Sequence, residues 1–406
     1  MNIQTSADRS VTNIKRAFGK PFASQNYLRW ILVLAAALRV GAAIWLPDQH
    51  LPDAEAYREM ARNLRDLHTF SSPYHMPLYP LAIAIVSEGW PQLAFDIGLS
   101  TVTVWLIYDL TLSMFGDRRA ALVAAGLAAI YPFFIFYAVV GLTETLFMTL
   151  TIAAFGAWYR GAFALAAIFT LLSILTRPTI ELLPPFLILF FAIVIHHLPL
   201  RRALQELGVY ALIYIFMLTP WWVRNYELYG TFVRLNLGAG LALYSGNNPK
   251  NTSGGVSDNV LDTSPFDSIA DPVARDRAAQ SAAFEFIKAH PQRFLKLAGR
   301  KFLRFWRLYP FAEQYRSNIY VVTSLLSFAP ILLLAIVFVL SSNWGTVVTT
   351  VPLIAFIAYL TLIHMIIVGS IRYRLPIEPF LIVLGAPMLI KIYDYVRSIC
   401  QRPGHE

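Results

Sequence analysis

Cysteine and charge are both scarce in this sequence. A single cysteine, Cys400, among 406 residues excludes an internal disulfide and any thiolate-held metal cluster. Only 14% of the residues are Asp, Glu, Lys or Arg, where an ordinary soluble domain carries about a quarter. The chain therefore lacks the polar surface of a soluble protein. In its place are repeated apolar runs of about 17 to 25 residues, each long enough to cross about 30 Å of hydrocarbon, in a chain that is 57% hydrophobic. The formal charge of +9 does not imply nucleic acid, because in a membrane protein Lys and Arg first report orientation.

That bias predicts a threading. Arg9, Lys15, Arg16, Lys20 and Arg29 place the N-terminal tail in the cytoplasm. The polar tail is too long for a signal-peptide n-region, so Trp30–Leu46 is expected to stay as an anchor. Further spans are expected near 93–115, 119–138, 145–159, 162–176, 182–198, 206–222, 319–340, 346–368 and 375–393, with 76–90 half-inserted and the tail bearing Lys391, Arg397 and Arg402 cytoplasmic. The expectation is an all-α integral membrane protein of about ten spans. It divides into a first module (1–222), a large external loop (223–317) and C-terminal spans (318–406).

The stretch "LPDAEAYREMARNLRDLHTF" (51–70) follows the first span. Tyr57, Met60, Ala61, Leu64 and Leu67 share one helical face, which predicts an amphipathic helix lying on the membrane. Asp53 is placed to cap this helix or to do chemistry; Glu55, two residues on, points elsewhere. A second amphipathic helix is expected in 290–310, with Phe294, Ala298, Phe302 and Phe305 on one face and Lys296, Arg300, Arg304 and Arg307 on another. Such a helix meets anionic lipid headgroups or a specific lipid phosphate. Arg39, deep in the first span, needs a partner, and Asp109 is the candidate. His50, His68 and His75 share the first loop without metal-ligand spacing, so no metal is expected.

Ionisable residues gather at the external ends of five connections: Asp53, Glu144 in "GLTETLF", Arg177 in "LTRPT" with Glu181, Arg224 in "PWWVRNYELYG", and Arg372 and Arg374 in "GSIRYRLPIEP". Arginine grips phosphate oxygens through its fork of donors, and a lipid phosphate would lie at this depth. A facing carboxylate could take a proton from an attacking hydroxyl or amine. Together these point to displacement of a lipid phosphate from a sugar carbon, with arginines stabilising the leaving charge.

In order and spacing, "AEAYREMARNL", "PLYPL", "FGDRRAALVAAGLAAIYPF", "LTETLF", "LTRPT", "PWWVRNYELYG", "SGNNP" and "RYRLPIEP" resemble the GT-C superfamily of glycosyltransferases. The resemblance is to the bacterial relatives of protein O-mannosyltransferases and of the lipid A aminoarabinose transferase, over most of the chain. It implies a GT-C polytopic bundle that transfers a sugar, with inversion, from a polyprenyl-phosphate carrier to an envelope lipid or glycan such as lipopolysaccharide. Transfer would occur at the outer face of a bacterial inner membrane, without metal or cofactor. It implies Asp53 as general base and Glu144 as the second-loop acid. Arg372 and Arg374 would lie near the carrier phosphate, with Arg177 and Arg224 as neighbours and Tyr57 and Glu55 beside the base. Two departures stand out. Ala54 separates Asp53 from Glu55 where relatives have adjacent acids. Tyr74-His75-Met76-Pro77-Leu78 stands where aminoarabinose transferases carry an acid and a lysine before Pro-Pro-Leu, making His75 a substitute contact. The alternative is a transporter or flippase for a lipid-linked saccharide, which would carry polar residues through the midplane.

Overall fold

A computed structural model describes residues 22–46, 51–255, 264–310 and 317–400. His50 and the tail residues Arg9, Lys15, Arg16, Lys20 and Arg402 lie outside them. Among the described residues there is no strand. The first half carries α1 (Phe22–Trp45), α2 (Pro52–Leu67), α3 (Leu78–Val86), α4 (Trp90–Phe115), α5 (Arg118–Ile130), α6 (Pro132–Tyr137), α7 (Glu144–Tyr159) and α8 (Phe163–Thr176). After these come α9 (Pro184–Phe190), α10 (Leu200–Tyr229), α11 (Ala239–Gly246), α12 (Pro272–Ala289) and α13 (Pro291–Phe305). The chain closes with α14 (Asn318–Ser341), α15 (Trp344–Ile366), α16 (Ile371–Arg374) and α17 (Glu378–Cys400).

Six helical segments among the described residues are long and apolar enough to cross a membrane: Asn26–Trp45, Trp90–Phe115, Leu200–Tyr229, Asn318–Ser341, Trp344–Ile366 and Ile371–Cys400. The other expected spans are shorter helices, α5 with 13 residues, α7 with 16 and α8 with 14, and the Pro184–Ile195 segment. Of these, α7 is the centre of the bundle. Every residue of α7 except Ala153 and Tyr159 is buried, as expected of a helix apolar on all sides. It packs against α4 and α8. Beside it, α5 buries Ala120, Ala121, Ala124, Ala125, Ala128 and Ala129 completely, and these small side chains let α1, α4 and α17 approach closely.

The expected Arg39–Asp109 pair is not formed. Arg39 is buried and donates to Ser100 Oγ at 2.6 Å and to the carbonyls of Ala35 (2.9 Å), Ala129 (3.1 Å) and Ala128 (3.4 Å). Asp109 pairs with Arg160. Nine residues separate Ser100 from Asp109, about 13 Å along a helix, so the carboxylate is out of reach. The cation is met instead by the last carbonyls of α5, the negative end of its dipole.

The expected apolar face of α2 is buried over its first half, whereas Leu64 is half-buried and Leu67 is exposed. Ala54, Tyr57, Met60 and Ala61 are buried in a cluster with Tyr79 and Ile83 of α3 and Val140, Leu142 and Leu146 beyond α6. On α13 the buried face is rotated from the expected one: Leu297, Ala298, Lys301 and Phe305 are buried and Phe302 is 41% exposed.

Candidate active site

Four residues from four connections meet. Pro52 is the first residue of α2 and Leu51 its N-cap, with no side-chain cap. Asp53 therefore falls inside the first turn, and its carboxylate does not cap the helix. It accepts a hydrogen bond from Arg372 Nη1 at 2.6 Å. Arg372 Nε donates to Glu144 Oε1 at 2.5 Å, and Arg177 Nη1 donates to the same oxygen at 2.7 Å. Local backbone explains each position. Glu144 opens α7, where a carboxylate suits the positive end of the helix. Arg177 ends α8 in an extended conformation imposed by Pro178. Arg372 sits in α16, whose N-cap Ser370 accepts from the Arg372 amide.

The two carboxylates are not equivalent. The Glu144 side chain is fully buried between two guanidinium groups, whereas that of Asp53 is 46% exposed. A buried carboxylate with two arginine partners is a fixed anchor. The exposed one is the carboxylate that an incoming molecule can reach. Arg372, with a side chain 16% exposed, spans both, and only a forked donor can do so. Among the described residues no group of three or more His, Cys, Asp or Glu converges as metal ligands.

Tyr57 lies one turn beyond Asp53. Its ring meets His75 edge-on at 5.1 Å between centroids and Tyr79 at 5.4 Å, and burial pushes its hydroxyl up to about 12. His75 Nδ1 is 2.7 Å from Ser72 Oγ. Burial lowers the His75 pKa against the opposing pull of the Asp53 charge, which favours a neutral ring.

The other residues singled out from the sequence lie elsewhere. Arg374 is completely buried; it pairs with Glu378 at 2.7 Å, donates to the Arg307 carbonyl and lies 3.5 Å from the centre of the Phe328 ring. Two residues along a helix turn a side chain by about 200°, so Arg372 and Arg374 cannot both face Asp53. Arg224 packs over Trp221, Phe70 and Tyr229 at 4.9, 5.2 and 5.7 Å and donates to the Phe70 carbonyl, pinning the start of the α2–α3 connection to α10. Glu55 is exposed and paired with Arg62 at 2.7 Å and Arg58 at 3.3 Å; the Arg62 hydrogen bond lowers its pKa. Glu181 accepts from Tyr214 and pairs with Arg234 at 2.9 Å.

Sequence reasoning missed two neighbours. Tyr373, between the two arginines, stacks on His364 at 4.5 Å, and His364 in turn faces Phe305. Lys301, wholly buried, falls in the apolar stripe of α13; a lone cation within such a stripe is the signal that could have marked it.

No family model matches the chain, and no curated relative does. Solved structures do. The Archaeoglobus fulgidus oligosaccharyltransferase tethered to an acceptor peptide containing the NVT sequon is 15% identical, with a TM-score of 0.55, over 94% of this chain and 51% of that one. AglB from the same archaeon, in complex with an inhibitory peptide and a dolichol-phosphate, is 15% identical with a TM-score of 0.53 over 95% and 53%. ArnT from Cupriavidus metallidurans bound to undecaprenyl phosphate is 14% identical with a TM-score of 0.47 over 89% and 60%. The chain thus spans about half the length of the archaeal enzymes. In its fold the chain resembles these archaeal oligosaccharyltransferase structures.

Proposed function

We propose that this chain is a polyprenyl-phosphate-dependent glycosyltransferase of a bacterial inner membrane. Its acceptor is an envelope lipid or glycan, and its active site lies on the outer face with both termini in the cytoplasm. The observation that carries this reading is the chain Asp53–Arg372–Glu144–Arg177, in which one carboxylate is exposed and the other fixes the arginines. The dolichol-phosphate held by the archaeal neighbour supports a lipid-phosphate ligand on this fold.

The reaction follows from these groups. Asp53 removes the proton of the acceptor hydroxyl or amine. The acceptor atom attacks the anomeric carbon of the sugar, the bond from that carbon to the phosphate oxygen breaks, and polyprenyl phosphate leaves on the opposite side. In-line displacement inverts the anomeric configuration. Of the five N–H groups of Arg372, two serve the carboxylates, leaving three for the phosphate whose charge grows as the bond breaks. His75 and Tyr57 border the same space and are placed to orient the donor. Arg374, Arg224 and Glu55 hold the surrounding segments in place.

The test uses purified protein in lipid nanodiscs, a panel of radiolabelled polyprenyl-phosphate sugars and a crude envelope-lipid acceptor. Wild type is expected to transfer sugar, and Asp53→Asn to bind the donor without transferring it. Equal transfer by Asp53→Asn would remove Asp53 as the base. Donor-stimulated movement of the lipid across the bilayer, with no transfer to any acceptor, would favour a flippase.

A further inference from the structure

Arg372 is the keystone of the cluster, yet it sits in a helix of four residues at the end of a connection with little structure of its own. Something else must fix it. The carbonyl of Ile366, at the end of α15, receives two side-chain donors: Lys301 Nζ at 2.8 Å and Asn247 Nδ2 at 2.8 Å. Lys301 also donates to Asn247 Oδ1 at 2.8 Å, and Asn247 donates back to the Leu243 carbonyl at 2.8 Å. Lys301 and Asn247 are both completely buried. Thus α11, α13 and the end of α15 are tied at one point.

Two glycines make the fit close. A Cβ on Gly246 would stand 1.7 Å from the Ile367 carbonyl oxygen, and one on Gly369 would stand 2.4 Å from the Lys301 carbonyl oxygen. The turn is held further along as well. The Gly369 amide donates to the Gly254 carbonyl at 3.4 Å, and Arg304 Nε donates to the Gly369 carbonyl at 3.3 Å. The next residue, Ser370, caps the helix that carries Arg372.

A buried amine is a costly way to fill space, since an apolar side chain would avoid its desolvation. What an amine adds is direction: it fixes a carbonyl where a methyl group would not. We propose that Lys301 and Asn247, the latter from the "SGNNP" segment, form a lock that positions Arg372 for the lipid phosphate. They are positioning residues, not catalytic ones, and the proposal rests on the phosphate-binding role assigned to Arg372 above.

The test is binding of dolichol phosphate and of undecaprenyl phosphate to the full chain in nanodiscs, followed by tryptophan fluorescence, with the unphosphorylated polyprenols as controls. Arg372→Gln is expected to weaken binding by about tenfold, the value of one charge-assisted contact. Lys301→Met is expected to weaken it by about five- to tenfold, and to cause no further loss in an Arg372→Gln background, because it acts through the guanidinium. Asn247→Leu, close in size, repeats the measurement should Lys301→Met fail to fold. Wild-type affinity in the single lock variants, or the same loss in both backgrounds, would overturn the lock. Unchanged binding by Arg372→Gln would instead overturn the phosphate role of Arg372, and the lock with it.

Discussion

Removing Glu144 and neutralising Asp53 should differ sharply in their cost to stability, although both acids bind the same guanidinium. Glu144→Ala leaves Arg177 and Arg372, each 16% exposed, facing one another without the carboxylate between them. Removing one partner of a buried ion pair costs about 3–5 kcal/mol; here the deletion takes the carboxylate from Arg177 and leaves Arg372 with Asp53 alone, so a loss within that range is expected. Asp53→Asn removes a charge from a side chain that is 46% exposed, where water screens the pair, and the cost is below about 1 kcal/mol. Unfolding by SDS titration in mixed micelles, read by far-ultraviolet circular dichroism, measures both. Transfer should be lost in both variants, but only Asp53→Asn should keep wild-type stability and carrier binding. Equal stability losses, or a Glu144→Ala variant as stable as wild type, would refute the division into a buried anchor and an accessible base.

Arg224→Ala removes a cation from three aromatic rings and should cost about 1–2 kcal/mol, seen as faster hydrogen exchange around Phe70 with transfer chemistry retained. Lys301 gives a pH signature. Burial brings its amine from the usual 10.5 down to about 7, so between those values the unfolded chain holds a proton that the folded chain does not. Stability from this group therefore rises as pH climbs through the window. Thermal melting between pH 7 and pH 10 should show that rise in wild type and a flatter profile in Lys301→Met.

Much of this arrangement was legible in the sequence because it depends on periodicity and on where charge is tolerated. The apolar face of α2 could be read from Tyr57, Met60 and Ala61, and these are buried. Asp53, Glu144, Arg177 and Arg372 stood out singly as ionisable residues at helix ends. What could not be read was direction and register. Whether Arg372 or Arg374 faces Asp53 depends on the short helix they share, which the loop-like sequence "GSIRYRLP" does not announce. The partner of Arg39 was misassigned because an acid is the obvious partner for a buried cation. The groups that meet it are a serine and backbone carbonyls, which hydropathy does not record. Lys301 was grouped with no face at all: its bonds run to a carbonyl 65 residues away, a purely tertiary fact.

The place of Asp53 in its helix, by contrast, is written in the residue before it. Aspartate before an amphipathic run reads as an N-cap, and a capping carboxylate would be occupied by backbone amides. Pro52 argues against that assignment, because proline favours the first helical position, where its missing N–H costs nothing. With Pro52 there, the cap falls to Leu51 and Asp53 becomes the second residue of the helix, as the structure has it. The proline therefore does more than start a helix. It keeps the carboxylate of Asp53 out of the helix end, so that it meets Arg372 instead of the backbone amides of the first turn.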